Sequence, residues 1–214
     1  REGGRLHEVE DVFRLGMPLG VEADQPPRLE VKADESAMER VRSALEQACP
    51  ARSNGPLIAV HISSRKPSQR WPEEQFASAM RQLHARHAAR FILLWAPGGG
   101  SNPLHPGDDA VAERLALSVR DLPVLKWPTS ALGELTAALA LADTVLCSDG
   151  GAMHLAAGLG KPLVCLFGDS QASRWHPWRV PYRLLQSPSR KAADVRVESV
   201  LESFKDLLVE LGRG

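Results

Sequence analysis

The sequence predicts an α/β fold, a doubly wound and mostly parallel sheet with helices on both faces. From residue 57 onward, short apolar runs of strand length alternate with helical patterns. The runs lack the polar alternation of a half-exposed strand, and strands buried on both faces are typical of parallel sheets. Right-handed crossover connections then give the doubly wound order.

Each predicted strand is a short apolar run bounded by turn residues. The strands are predicted at residues 57–62, 91–95, 124–125, 144–147 and 163–167. Helices with apolar residues at helical spacing are predicted between and after these strands, at residues 72–87, 108–119, 130–141, 151–159 and 197–211. Proline and acidic residues suit the first turn of the helix at 72–87, and Ser130 is the predicted cap of the helix at 130–141.

Residues 1–54 are expected to be an interdomain hinge or linker region with a first strand and helix, before a domain that spans 55–214. This region carries a helical pattern, a short strand pattern and a longer helical pattern, at residues 9–15, 29–32 and 35–47. Asp34 is the expected cap of the longer helix. The region is typical of the end of one segment rather than the opening of a domain.

Composition excludes several classes of protein. The 214 residues carry 26 Lys+Arg and 26 Asp+Glu, so the net charge is zero, and 43% of residues are hydrophobic. That apolar fraction is too high for a disordered chain, and zero net charge argues against a general nucleic-acid binder. No apolar run approaches the roughly 20 residues of a membrane helix. The three widely spaced cysteines are typical of reduced thiols in a cytosolic protein.

Several common motifs are missing from the sequence. It holds no Gly-x-Gly-x-x-Gly after a strand, no P-loop and no Gly-x-Ser-x-Gly, which argues against a standard dinucleotide site, a P-loop enzyme and an α/β-hydrolase. The seven histidines do not pair at metal-ligand spacing, and no Cys-x-x-Cys occurs. We therefore predict neither a metal site nor a cofactor.

The segment Cys147–Ala157 is the strongest candidate site. A strand leads into Asp149, Gly150 and Gly151 let the backbone come close to a ligand, and a helix begins at once. Exposed amides at a helix start suit a diphosphate, and His154 in the first turn can donate to the same phosphate. Asp149 can accept a hydrogen bond from a sugar hydroxyl. Alternatively, Asp149 is a helix cap and His154 a surface residue, because Asp-Gly-Gly is an ordinary turn.

A second candidate is the loop after the first predicted strand, residues 63–72. Two hydroxyls and three cations follow that strand: Ser63, Ser64, Arg65, Lys66 and Arg70. Hydroxyls and cations together can clamp a phosphate. The alternative is a solvated basic loop, with Trp71 packing the start of the next helix.

A third basic stretch covers residues 170–193 and contains no acidic residue. Its five cations are interleaved with aromatic residues: Arg174, Arg179, Arg183, Arg190 and Lys191. We interpret it as a long loop held by its aromatic side chains, with arginines in structural roles. A surface facing an anionic ligand is the alternative.

These loops, in this order, resemble glycosyltransferase family 9, the ADP-heptose:lipopolysaccharide heptosyltransferases. The resemblance is carried by Ser63-Ser64 through Arg70-Trp71-Pro72, by Thr129-Ser130, and above all by residues 149–157, continuing to Gly160-Lys161-Pro162 and Leu166-Phe167-Gly168. It is best over residues 55–182, and His7-Glu8-Val9 resembles the family's interdomain hinge.

The resemblance implies a GT-B architecture, in which two Rossmann-like domains face each other across a cleft. This chain is similar to the second, donor-binding domain only. We therefore expect the N-terminal acceptor domain to be absent from this chain, and the catalytic base to belong to that domain, so that no catalytic residue lies here.

The family's donor contacts fall on particular residues of this sequence. Those implied to bind the donor diphosphate and sugar are Ser63, Ser64, Arg65, Arg70, Asp149, Gly150, Gly151 and His154. Those that could contact the nucleoside are Asp108, Asp109, Thr129 and Met153. The sequence departs from the family where Gln69 replaces a usual lysine, so the charge would come from Arg65, Lys66 or Arg70. Asp-Gly-Gly also stands where the family has Asp-Thr-Gly or Asp-Ser-Gly.

The function implied is transfer of a heptose or related sugar from a nucleoside diphosphate, ADP-heptose above all, to a lipopolysaccharide core hydroxyl without a metal. The chain alone is expected to bind the donor and transfer little. The expected location is the cytoplasm, with peripheral attachment to the inner membrane of a Gram-negative bacterium. Two alternatives stay open: a nucleotide-sugar epimerase of similar architecture, and a non-catalytic nucleotide-binding module.

Overall fold

A computed structural model describes residues 6–21, 25–49, 55–100 and 107–212. Within these ranges, six parallel strands form one sheet: β1 (Leu57–His61), β2 (Arg90–Trp95), β3 (Val124–Pro128), β4 (Thr144–Ser148), β5 (Leu163–Phe167) and β6 (Tyr182–Gln186). The order across the sheet is β3-β2-β1-β4-β5-β6. The predicted doubly wound parallel sheet is confirmed.

Helices connect and cover these strands. Their bounds are α1 (Glu8–Arg14), α2 (Glu35–Ala48), α3 (Glu73–His87), α4 (Asp109–Ser118), α5 (Leu132–Leu141), α6 (Gly151–Gly158), α7 (Ala172–Trp175) and α8 (Val197–Glu210). None of the helices in the described ranges is long and apolar enough to cross a membrane.

Two apolar layers, one on each face of the sheet, form the core. On one face of the sheet, α3, α4 and α8 bury side chains such as Phe76, Leu115 and Phe204. On the other face α2, α5 and α6 bury Val41, Leu139 and other side chains against the same sheet. Both faces of the central strands are therefore buried from solvent, which explains why their sequences are continuous apolar runs.

Two local predictions were wrong: the strand at residues 29–32 and the helix cap at Ser130. Residues 29–32 alternate apolar and polar but form no strand; the amide of Val31 donates to the carbonyl of Gly158 at 2.8 Å, so the segment packs on α6 instead. Ser130 does not cap α5, which begins at Leu132. The Glu134 carboxylate accepts from the amides of Ser130 and Ala131 at 2.8 and 3.2 Å and fixes this helix start.

The basic segment, defined as residues 170–193, is not one long loop as predicted. It contains the short helix α7 and the edge strand β6, which pairs with β5 from Leu163↔Tyr182 to Phe167↔Gln186. The side chains of β6 are only half-buried because the strand lies at the edge of the sheet. For this reason β6 lacks the continuous apolar run by which the central strands were predicted.

Helix α1 is docked on the basic segment. Its cap His7 is buried, accepts from the amide of Val9 through Nδ1, and donates through Nε2 to the carbonyl of His176 at 2.8 Å. Arg174 forms ion pairs with Glu8 and Asp11 of the same helix. The hinge-like residues therefore form part of this domain's surface and support the segment that follows β5.

Candidate functional site

The site lies at the topological switch point of the sheet, between β1 and β4. Strands β1 and β4 are neighbours in the sheet although their paired residues His61 and Cys147 are 86 positions apart in the chain, and the chain continues from these two strands toward opposite edges of the sheet. Ligands of doubly wound sheets bind beyond the carboxyl ends of such strands. A cavity of about 400 Å³ lies there, a size typical of small-molecule sites.

Three loops supply the lining of this cavity. The residues that line it are His61, Ser63, Ser64, Arg65, Lys66, Gln69, Ser148, Asp149, Gly150, Gly151, Ala152, Ser170 and Trp175. Seven candidates named from the sequence are thus brought together: Ser63, Ser64, Arg65, Lys66, Asp149, Gly150 and Gly151. The sequence candidates did not include His61, Gln69, Ser170 or Trp175, although all four follow or end strands on this edge of the sheet.

The start of α6 forms one wall of the cavity. Gly150 is its N-cap residue and makes no side-chain capping bond, so Asp149 is not the helix cap of the alternative interpretation. The amides of Gly151 and Ala152 occupy the first helical positions, which have no acceptor within a helix. Together with the partial positive charge of the helix start, these amides can bind an anion.

Gln69 links the three loops around the cavity. Its Oε1 accepts from the Ser64 hydroxyl at 3.0 Å, and its Nε2 donates to Asp149 Oδ2 at 2.6 Å and to the Ser170 hydroxyl at 2.8 Å. Gly168 lets the loop after β5 lie close to the loop after β1, because a Cβ at this position would be 2.3 Å from the carbonyl oxygen of Ser68. The loops after β1, β4 and β5 are thus held as one unit.

The cations of the β1–α3 loop, residues 62–72, have different surroundings. Arg65 is exposed at the cavity and forms no ion pair among the described residues, while Lys66 lies 3.7 Å from Asp169. Arg70 instead donates to Asp108 Oδ1 at 2.6 Å and does not line the cavity. Arg65 and Lys66 are therefore the cations that an anion in the cavity would meet.

Two imidazoles lie at or beside the cavity. His61 ends β1 in the cavity wall, and burial lowers its pKa to about 4 even though Asp108 opposes this shift. Burial also lowers the pKa of His154, against the opposing effect of Asp149. The ring of His154 lies 6.1 Å from that of Trp175, edge to face. Trp175 lines the cavity, whereas His154, a predicted donor contact, does not.

Most arginines of the basic segment are engaged by the protein itself. Arg183 bonds Glu210 at 2.9 Å, Arg179 bonds Gln25 at 2.7 Å, and Arg190 donates to the carbonyls of Asp169 and Ser170. The predicted structural role of these arginines is confirmed for this segment, since the contacts tie α8, the N-terminal segment and the β5 loop together.

Comparison with known proteins identifies the family. The model of glycosyltransferase family 9 (heptosyltransferase) matches residues 2–205. The chain belongs to glycosyltransferase family 9. A comparison with curated protein sequences gave no match.

Solved structures of family 9 and related proteins share the fold. A family 9 glycosyltransferase from Veillonella parvula has a TM-score of 0.79 at 19% identity, with 98% of this chain and 62% of that chain covered. E. coli ADP-heptose lps heptosyltransferase II has a TM-score of 0.71 at 18% identity, with 89% and 56% covered. E. coli heptosyltransferase WaaC with ADP has a TM-score of 0.63 at 19% identity, with 90% and 53% covered. The chain thus spans between half and two thirds of these chains.

The residues that family 9 implied for nucleoside contact are held by other protein groups. Asp109 accepts from Trp95 Nε1 at 2.7 Å and from the amide of Gly98 at 2.8 Å, and the hydroxyl of Thr129 donates to the carbonyl of Trp95. Asp108 is buried against Arg70. Met153 is fully buried in the core.

None of these four residues lines the cavity at the start of α6. Asp109 instead lines a wider groove of about 800 Å³ between α4 and β3. Among the described residues, no group of three or more His, Cys, Asp or Glu side chains is placed to hold a metal ion.

Proposed function

We propose that the cavity binds the diphosphate of a nucleotide-sugar donor, with ADP-heptose as the expected donor. The observation that carries the proposal is the uncapped start of α6, where the amides of Gly151 and Ala152 lie in the cavity wall. Arg65 and Lys66 add positive charge to the same wall. Backbone amides and cations together match a diphosphate better than they match a neutral ligand.

The reaction that fits this site is glycosyl transfer, as in the family to which the chain belongs. As the bond between sugar and diphosphate breaks, negative charge grows on the departing phosphate oxygen. Hydrogen-bond donors and cations that are already in place before the reaction stabilise such charge, because they need not reorganise as it develops. We propose that the α6 amides, Arg65 and Lys66 do this, so that transfer proceeds without a metal.

The acceptor and its base are a further part of the proposal. The solved relatives are longer chains, and one of them is named as a lipopolysaccharide heptosyltransferase. We propose a lipopolysaccharide core hydroxyl as the acceptor and a carboxylate of a second domain as the base, with the reaction at the cytoplasmic face of the inner membrane. This chain alone then binds the donor and transfers little sugar.

Family membership favours the transferase over the epimerase interpretation. A non-catalytic nucleotide-binding module differs from a transferase in turnover rather than in binding. Transfer of heptose from ADP-heptose to a lipopolysaccharide core acceptor by the full-length protein, with release of ADP in the presence of a chelator, supports a metal-independent transferase. Nucleotide binding without transfer supports the module.

Thermal unfolding of the chain with ADP, UDP, GDP or NAD tests donor binding directly. A ligand at 100 times its dissociation constant adds about 2.7 kcal/mol of stability, or a rise of roughly 5–10 °C in melting temperature at this size. We expect ADP to give this rise in the wild type and less in Arg65→Ala. Arg86→Ala, on the exposed end of α3, is the matched control. Equal shifts in both variants would contradict the proposed site.

A further inference from the structure

Gln69 is a buried amide at the centre of the site, with only 6% of its surface exposed. Both ends of its side chain are bonded, to the Ser64 hydroxyl through Oε1 and to Asp149 and Ser170 through Nε2. Because the amide oxygen receives the Ser64 proton, the NH₂ group is directed to the Asp149 carboxylate. The orientation of the amide is therefore set by its partners.

The same bonds leave the Asp149 carboxylate with one oxygen engaged and one available. Oδ2 accepts from Gln69, whereas in the described part of the chain Oδ1 has no hydrogen-bond partner. Asp149 lines the cavity and is 8% exposed. A buried carboxylate that can accept one more hydrogen bond suits a hydroxyl donor, and a sugar bound through its diphosphate at α6 carries several.

We propose that Gln69 is a positioning residue, which fixes the Asp149 carboxylate so that its Oδ1 accepts from a hydroxyl of the transferred sugar. The inference rests on the proposed function, since it requires a nucleotide-sugar in the cavity. Gln69 is uncharged, so positive charge toward the diphosphate comes from Arg65 and Lys66 rather than from this position.

The distinguishing measurement is the ratio of affinities for ADP-heptose and ADP, obtained by calorimetric titration of the full chain. Only ADP-heptose carries the sugar that Asp149 is proposed to hold. In Gln69→Glu, a carboxylate faces Asp149 and the hydrogen bond is lost to repulsion. We expect the preference for ADP-heptose to fall about tenfold, with a smaller loss of ADP affinity.

Gln75→Glu is the matched control, because Gln75 is also an amide that donates across the domain, to the carbonyl of Ala193 at 2.9 Å, but lies outside the cavity. This variant should keep the wild-type ratio even if its melting temperature falls. Should Gln69→Glu fail to fold, Gln69→Ala, which introduces no charge, takes its place with the same expected loss of preference.

Three results would overturn the inference without contradicting the proposed donor site of the wild type. These are a wild type that binds ADP and ADP-heptose equally, a folded Gln69 variant with the wild-type ratio, and a Gln69 variant that loses both affinities in proportion, as a purely structural role predicts. A wild type that binds neither nucleotide contradicts the proposed function itself. An Asp149→Asn variant with the same loss of preference as Gln69→Glu supports the inference.

Discussion

The β1–α3 loop and the basic segment are both rich in cations, yet they use them differently. In the basic segment, Arg174 pairs with carboxylates of α1 and Arg183 with Glu210 of α8. In the β1–α3 loop, Arg65 lines the cavity and has no ion-pair partner among the described residues. A paired cation stabilises the fold, whereas an unpaired one beside uncapped helix amides is suited to an anionic ligand. Cation density along the sequence therefore does not by itself locate a site.

Arg70 is the exception within its loop, and its removal should have the largest effect on stability. Arg70→Ala leaves the buried carboxylate of Asp108 without its partner at 2.6 Å. Breaking such a pair costs several kcal/mol, and because Arg70 is one-third exposed we expect a loss of about 2–4 kcal/mol. Urea unfolding measures this loss.

The control for Arg70 is Arg114→Ala, which breaks the exposed pair with Glu73. That variant should unfold at nearly the wild-type urea concentration, since exposed ion pairs contribute little. Equal effects of the two substitutions would show that Arg70 is not the structural cation of its loop.

His61 should make stability depend on pH. Burial lowers its pKa from 6.5 to about 4, so between these values the unfolded chain binds a proton that the folded chain does not. The free energy of unfolding should therefore fall as pH drops from about 6.5 toward 4, by on the order of 1–3 kcal/mol. His61→Gln should flatten this part of the pH profile.

The matching variant for this measurement is His87→Gln, at the end of α3 and away from the cavity. It should keep the wild-type slope between pH 6.5 and 4. An unchanged slope in His61→Gln would place the responsible group elsewhere.

Arg174→Ala should have a smaller effect, confined to stability. It removes the two ion pairs that hold α1 on the basic segment, both of them partly exposed. We expect a loss of about 1 kcal/mol by urea unfolding, with ADP affinity reduced less than in Arg65→Ala. The reverse order of ADP affinities would remove the distinction between the two cation-rich segments.

The fold was predictable because its central strands are buried on both faces. Runs such as 57–62 and 163–167 are continuous and apolar for that reason, and they were assigned correctly. The failures lie at the edges. Strand β6 is only half-buried, while residues 29–32 show the alternation of a strand but pack against Gly158 without a partner strand.

The site was predictable only in part. The positions of Ser63, Ser64 and Gly150 follow from which strands precede them, and these residues line the cavity. The pairing of Arg70 with Asp108 and of Gln69 with Asp149 depends on contacts 38 and 80 positions apart in the chain. No local pattern encodes such contacts, so the two arginines of the β1–α3 loop could not be told apart from sequence.

The most direct test of the central claim is a crystal structure of the chain with ADP. We expect phosphate oxygens within hydrogen-bond distance of the Gly151 and Ala152 amides, with Arg65 turned toward them. ADP bound in the groove between α4 and β3, or on the arginines of the basic segment, would contradict the assignment of the donor site to the junction of β1 and β4.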